Sequence, residues 1–569
     1  MKNEERLHNL RHSAAHLLAQ AVLELFPGTK ITIGPVTKTG FFYDFLPPEN
    51  FKEDDLPKIE EKMRQLAKQD FAIKGKQVSH QEAKELFKDN EFKIEIIEGL
   101  DSSEPITIYS QGNFIDLCKG GHVASTGELG HFKLLGVSGS YWRADREGIP
   151  LQRISGVVFE SKDDFEQYVK RVEEAKLYDH RRLGKQLDLF SFHEEAPGIV
   201  FFHAKGMKIF NNLVAYLRKL QDDAGYQEVR TPLVLHESLW KTSGHYENYK
   251  ENMFFTNIEK ATHCVRPMNC PGGVLLYKER PHSYRELPLR VAEFGVVHRC
   301  ELSGVLHGMF RVRGFTMDDA HIYCTPDQVA DEVAGVLKLT TQVYKKFGFE
   351  NLKMALATRP EKSIGSDELW QTGIDALKVG LETSGFKYEI NEGEGAFYGP
   401  KIEIHIKDAM GREWQCGTVQ VDFFLPQNFD IEYIDSDQSR KRPVMIHRAI
   451  YGSLERFIGI LTEHYRGHFP FWLAPVQACV LTITDKQMEY AGTVLARLKS
   501  HGIRVELDES GDQISAQIRH AQLDKIPWMV VIGKKEEAQG TVTLRHVDGK
   551  QEFGLTVEDL LARAKELNK

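Results

Sequence analysis

The stretch His298-Arg-Cys-Glu-Leu-Ser-Gly-Val-Leu-His-Gly-Met-Phe-Arg-Val-Arg-Gly-Phe315 sets an Arg-x-Glu pair ahead of a glycine-containing turn and a second basic segment. Side chains alternate along a strand, so a strand through this pair gives Arg299 and Glu301 a shared face and turns Cys300 away. A guanidinium fork suits phosphate, and a carboxylate accepts from an exocyclic amine such as that of adenine. Arg311, returning on the partner strand, adds charge for a polyphosphate tail, and Phe315 offers a ring to stack on a base. The same pattern also describes an ordinary amphipathic hairpin with cross-strand charges, because Arg-x-Glu is common. A second constellation stands near the N-terminus, where His12 and His16 lie four apart on one helical face and Cys118 pairs with His122. By spacing alone these four residues read as a tetrahedral zinc site.

These groups need a scaffold of several domains. At 569 residues the chain exceeds what one core organises. Periodicity predicts a helix over 11–26, strands to 45, a charged helix over 56–69 and short strands to 158, an α+β region. Residues 163–184 carry helical spacing without a core of their own and read as a linker helix. An amphipathic helix follows over 208–224, and strand-like runs at 290–297, 308–315, 401–405 and 418–424 imply an antiparallel sheet. Beyond residue 475 strands and helices alternate, the signature of a small α/β domain. The expected boundaries are 1–160, 161–186, 187–470 and 471–569.

Composition narrows the class. Hydrophobic residues make up 41% and charged residues 27%, and no apolar run approaches the ~20 residues of a membrane span. The polar N-terminus has no apolar h-region, so a cytoplasmic protein without membrane partners is expected. Seven scattered cysteines without a Cys-x-x-Cys pair argue against a disulfide framework. The net charge of −9 does not exclude nucleic acid, which needs only local basic faces. Lys170-Arg171, His180-Arg-Arg182, Arg440-Lys-Arg442 and Lys534-Lys535 are such candidates, and each also suits a solvated face.

The segment His447-Arg-Ala-Ile-Tyr-Gly-Ser-Leu-Glu-Arg-Phe457 supplies a glycine and then an amphipathic helix carrying Arg456. With residues 298–315 it resembles motifs 3 and 2 of the class II aminoacyl-tRNA synthetases. Arg266-Pro-Met-Asn-Cys-Pro-Gly272, Asp318-Asp-Ala-His321, Phe397-Tyr-Gly-Pro-Lys401 and Gln415-Cys-Gly-Thr-Val-Gln420 narrow the resemblance to the threonyl-tRNA synthetases, from about His8 to the C-terminus. The surroundings of Arg230-Thr-Pro232 loosely match motif 1, which builds a homodimer interface. The resemblance implies an antiparallel class II core, an α+β editing domain and a C-terminal anticodon-binding domain, where Arg545 and Glu536 are candidate contacts.

Function follows from the same resemblance. Cys270, His321 and His447 would hold one Zn2+ that selects threonine over valine, with Asp319, Tyr398 and Gln420 around the amino acid. Arg299 would hold the α-phosphate, Glu301 the adenine amine and Arg311 the distal phosphates of ATP, which arrives with Mg2+, while Arg456 would stack on the ring. His245 would lie near the terminal adenosine of tRNA(Thr), as a proton acceptor or only as a positioning group. The implied reaction forms threonyl-adenylate from L-threonine and ATP and transfers the threonyl group to tRNA.

Serine keeps the amine and hydroxyl and lacks only a methyl, worth roughly 1–3 kcal/mol, so a hydrolytic site for seryl-tRNA is expected. The resemblance assigns it to His12, His16, Asp116, Cys118 and His122, used without a metal, against the zinc reading that spacing alone gives. Met317 stands where many relatives have Gln and Gly273 where His is common, and the small domain that often precedes the editing region has no counterpart. A synthetase-like paralogue that binds tRNA without aminoacylation is the competing reading. A related ligase for serine or proline fits less well with the zinc and editing residues.

Overall fold

The computed structural model describes residues 2–37, 39–101, 105–145 and 148–568. It divides into two compact units, Met1–Glu173 and Glu174–Lys569.

In the first unit a helix spans Lys2–Leu25, two turns longer at its start than its apolar pattern implies. Ala14, Leu17, Leu18, Ala21 and Val22 are all buried, so this helix is the spine of the unit rather than a surface element. It packs on a four-stranded antiparallel sheet ordered Lys30–Ile31, Phe41–Leu46, Pro150–Phe159 and His131–Tyr141, and on the helix Leu56–Lys68. A second sheet of Lys74–Val78, Ile106–Gln111 and Phe114–Leu117 ends at the loop that carries Cys118 and His122.

The second unit is built on eight strands in the order Gln227–Glu228, Leu289–His298, Gly314–Cys324, Val444–Ala449, Glu413–Asp422, Lys401–Lys407, Lys353–Ala357 and Tyr388–Asn391. The inner pairs are antiparallel and only the two outermost pairs run parallel. The register sets His321 opposite His447, and His447 opposite Gln420, which gathers three strands' side chains on one row. Helices Ala204–Asp223, Val329–Lys346, Asp367–Thr383 and Leu454–His464 supply the apolar packing. A C-terminal five-stranded sheet, Val505–Leu507, Ala478–Thr482, Trp528–Ile532, Val542–His546 and Gln551–Leu555, has a parallel half and an antiparallel half. The short polar helix Lys534–Gln539 and the strand Gln551–Leu555 carry too little periodicity to be read from sequence.

Three local expectations are corrected. Residues 308–313 do not form a strand: Gly308 turns the chain at φ 48°, His307 accepts the amides of Phe310 and Arg311, and the second strand begins only at Gly314. The first strand ends at His298, and the Glu301 amide donates to the Arg299 carbonyl at 2.8 Å, so the Arg-x-Glu pair sits in a tight turn rather than on a strand face. The expected linker helix is two helices, Lys162–Leu177 and His180–Gln186, the second capped by Asp179, whose side chain accepts the Arg181 amide at 2.8 Å.

Candidate functional site

Arg299, Glu301, Arg311, Phe315, Gln420 and Arg456 line one open cleft of about 390 Å³ on the face of the large sheet. Met317, Phe310 and Thr418 complete its walls. The Arg299 guanidinium lies 5.2 Å from the Phe315 ring centroid and 5.8 Å from that of Tyr249, within cation–π range of both. Arg311 rests on Glu301, with Nη2 3.0 Å and Nε 3.1 Å from Oε2. The helix Leu454–His464 starts at Ser453, whose hydroxyl accepts the Arg456 amide, and presents Arg456 over Trp414 at 5.6 Å. Arg456 Nε is buried without a protein partner, a donor left for a ligand.

Beside the cleft, Cys270, His321 and His447 are all buried and their donor atoms lie within 4.8 Å of one another. Cys270 opens the helix Cys270–Lys278, and the two histidines face each other across neighbouring strands. One thiol and two imidazoles form the borderline-soft donor set that zinc favours, with a position left open. Burial, with Asp319 and Asp422 nearby, pushes the Cys270 thiol well up, and burial next to His447 pushes His321 well down. The imidazole lone pair is therefore free for a metal, and the thiol ionises when a cation compensates it. Asp422 accepts from His447 Nε2 at 2.9 Å, as outer groups do around metal-bound imidazoles.

Asp319, half-buried and with its pKa raised by desolvation, takes the Asn269 side-chain amide at 2.6 Å, and Tyr398 donates to Gln420 Oε1 at 2.5 Å. His245 is buried, held between Ser243 Oγ at 2.8 Å and Met268 Sδ at 2.9 Å. Burial, then His447 and Arg299, push its pKa down to about 3. The sequence reading missed Asp422 and Asn269, although Asp422 stands two positions past Gln420 on the same strand face.

In the first unit His12, His16, Cys118 and His122 also converge, with donor atoms within 4.8 Å. The rings of His12 and His122 stack at 4.2 Å, and Cys118 Sγ lies 3.2 Å from His122 Nε2. Ser13 Oγ sits 3.0 Å from His122 Nδ1 and accepts the Val123 amide at 3.1 Å. Burial pushes the Cys118 thiol up to about 12, and burial with His16 and His12 pushes His122 down to about 2. Asp116 is fully occupied: Lys93 pairs with one oxygen, and Tyr43 donates to the other at 2.5 Å with His16 3.6 Å away. Lys93 escaped the sequence reading because it sits in the ordinary charged helix Glu91–Glu98, and only the tertiary fold buries it.

The remaining candidates are dispersed. Glu536 accepts the Gly533 amide and the Thr543 hydroxyl, both at 3.0 Å, and Arg545 lies on the adjacent strand with Nε buried and unpaired. His180 is completely buried, which removes it from a basic face, while the exposed Arg181 pairs with Asp179 at 2.7 Å. Arg440, Lys441 and Arg442 pair with Glu432, Asp435 and Asp430. Among the described residues no helix is long and apolar enough to cross a membrane.

Residues 254–465, the span holding the cleft and the buried thiol–imidazole cluster, match the family described as tRNA synthetase class II core domain (G, H, P, S and T). Residues 477–567 match an anticodon binding domain, and 106–155 match the threonyl and alanyl tRNA synthetase second additional domain. Sheet, cleft and these matches together define a class II aminoacyl-tRNA synthetase. A threonine–tRNA ligase of Desulfatibacillum aliphaticivorans is 52% identical over 561 residues, covering 98% of this chain and 88% of the relative. One of Carboxydothermus hydrogenoformans is 50% identical over 562 residues with the same coverage. A crystal structure of the RNA binding domain of threonyl-tRNA synthetase from Cryptosporidium parvum Iowa II aligns at TM-score 0.67 and 43% identity, over 68% of this chain and 98% of that one. The chain belongs to the threonyl-tRNA synthetase family.

Proposed function

We propose that this protein ligates L-threonine to tRNA(Thr) through threonyl-adenylate, and hydrolyses seryl-tRNA(Thr) in its first unit. The observation that carries the reading is the buried thiol–imidazole cluster flanking the arginine-lined cleft on one sheet. Arg299 orients the α-phosphate and threonine carboxylate for attack at phosphorus and offsets the charge that develops there. Glu301 accepts from the adenine amine, Arg311 leaves it to take the distal phosphates of magnesium-bound ATP, Phe315 stacks on the base and Arg456 covers the ring.

Cys270, His321 and His447 would hold one zinc ion, which when bound would supply the Lewis-acid ligation that favours an amino acid with both an amine and a hydroxyl over valine, which lacks the hydroxyl. Asp319 accepts from the threonine hydroxyl, and Tyr398 and Gln420 hold the amino group. His245, whose depressed pKa leaves its ring unprotonated at neutral pH, stands by the terminal adenosine and positions it or takes its proton.

In the first unit His12, His16, Asp116, Cys118 and His122 position a hydrolytic water without a metal. Domains at 1–160, 187–470 and 471–569, the first two joined by the linker at 161–186, carry editing, ligation and anticodon recognition, the last through Arg545 and Glu536. We also assign a cytoplasmic location and a homodimer formed through the region of Leu233, Val234, Phe255 and Ile258, whose apolar side chains are exposed. Charging of tRNA(Thr) transcripts with threonine, together with release of serine from seryl-tRNA(Thr), tests both activities. Absence of either refutes the corresponding assignment.

A further inference from the structure

Two segments distant in sequence place two of the three arginines that line the cleft: the turn with Phe310 and Arg311, and the helix Leu454–His464 with Arg456. Both meet at His180. Its backbone amide and its ring Nδ1 approach the same oxygen of Glu463, at 2.9 and 2.7 Å, and its Nε2 lies 3.0 Å from the Met309 amide. An amide only donates, so Nε2 holds the lone pair and Nδ1 the hydrogen given to Glu463; a single tautomer satisfies both contacts. The ring also packs on Phe310 at 4.1 Å between centroids.

The turn is shaped for this approach. Gly308 has φ 48°, and a Cβ there would stand 2.2 Å from His180 Nε2. No other residue lets the turn come so near. On the far side, the second oxygen of Glu463 takes Arg412, which also holds Asp408 at 2.7 Å, and Asp408 accepts from Trp414 Nε1 at 2.8 Å. Trp414 packs on Phe310 at 4.5 Å and lies under Arg456, so the network returns to the cleft at both of its ends. Asp179, His180 and Glu463 have the spacing of metal ligands. Both ring nitrogens are nonetheless engaged in hydrogen bonds, which leaves no lone pair for an ion.

We propose that His180 is a positioning residue for the nucleotide, fixing the turn of Phe310 and Arg311 against the helix of Arg456 before ATP arrives. The proposal rests on the reading of the cleft as the ATP site. Asp319 is carried by the strand Gly314–Cys324, outside this network, and Gln420 by the strand Glu413–Asp422, six residues past Trp414, the network's nearest member on that strand. Loss of His180 therefore weakens ATP recognition and spares threonine.

The test is ATP–pyrophosphate exchange with both substrates varied. His180→Ala is expected to raise the KM for ATP tenfold or more and to change the threonine KM less than twofold. His180→Gln, whose amide reproduces one acceptor and one donor, is expected to recover most of the loss. Gly308→Ala is expected to raise the ATP KM alone and to do so less in the His180→Ala background, because the clashing ring is gone. If His180→Ala does not fold, His180→Gln and Gly308→Ala carry the test. An unchanged ATP KM in every variant, equal rises in both KM values, or additive effects of the two sites would overturn the proposal while wild-type exchange persists. Wild-type protein without threonine-dependent exchange would overturn the parent reading instead.

Discussion

Asp422 Oδ2 lies 2.9 Å from His447 Nε2 across neighbouring strands, while its other oxygen accepts the Phe424 and Leu425 amides at 2.7 and 3.0 Å. An ionised carboxylate only accepts, so Nε2 carries the ring hydrogen and Nδ1 keeps its lone pair for a metal. One side chain thus anchors the start of the helix Phe424–Asn428 and sets the tautomer of a candidate metal ligand.

Asp422→Asn keeps an acceptor for the helix and removes the charge behind His447. Zinc affinity is expected to fall by roughly 10- to 100-fold, read by competition with a chelator of known affinity. Unchanged affinity would show that Asp422 serves the helix alone.

Arg311 and Arg299, which both line the cleft, differ in what they cost. Arg311 is over half exposed and its bridge to Glu301 contributes at most about 1 kcal/mol to stability. Arg311→Ala should raise the ATP KM and leave the melting temperature unchanged. Arg299→Ala should cut the exchange rate by about 10²–10³-fold, as removal of a group acting on developing charge does. Similar kinetics for the two variants would contradict their separate roles.

Lys93 and Asp116 form a buried ion pair in the first unit. Lys93→Ala leaves a buried carboxylate unpaired, which costs about 3–5 kcal/mol. The first unit should lose that much in denaturant unfolding, and seryl-tRNA hydrolysis should vanish while exchange at the other unit persists. Retained hydrolysis would remove Lys93 from the editing machinery.

The first unit should also be acid-sensitive. The folded pKa of His122 is pushed down to about 2 against an ordinary 6.5. Below 6.5 the unfolded chain binds a proton that the folded site refuses. Stability from this group is thus fully present above 6.5 and is lost progressively as pH falls toward 2. A shift of that size corresponds to a loss of about 2 kcal/mol at pH 5 relative to pH 7, shared with the neighbouring His16 and His12. His122→Asn should flatten the dependence of melting temperature on pH; an unaltered slope would place the acid sensitivity elsewhere.

The sequence exposed the cleft because Arg299, Glu301, Arg311 and Arg456 lie in short segments whose order is itself informative, and all four line one cavity. It misplaced the second motif strand because alternation fails where both faces are buried. Gly314–Cys324 is covered on nearly every residue, whereas the Arg-Val-Arg of the preceding turn mimics a half-exposed strand. His180 read as part of a basic cluster, since nothing local announces that Glu463, 283 residues on, will bury it. Lys93 and Asp422 were hidden for the same reason: their partners come from tertiary contacts and not from spacing.

Zinc held by Cys270, His321 and His447 is proposed to govern amino-acid choice, and ATP–pyrophosphate exchange with threonine, serine and valine on protein of measured zinc content tests this most directly. One zinc per chain, exchange with threonine and serine, none with valine, and loss of both zinc and exchange in Cys270→Ala are the expected results. Full threonine-dependent exchange by zinc-free protein, or exchange with valine at a rate near that with threonine, would contradict it.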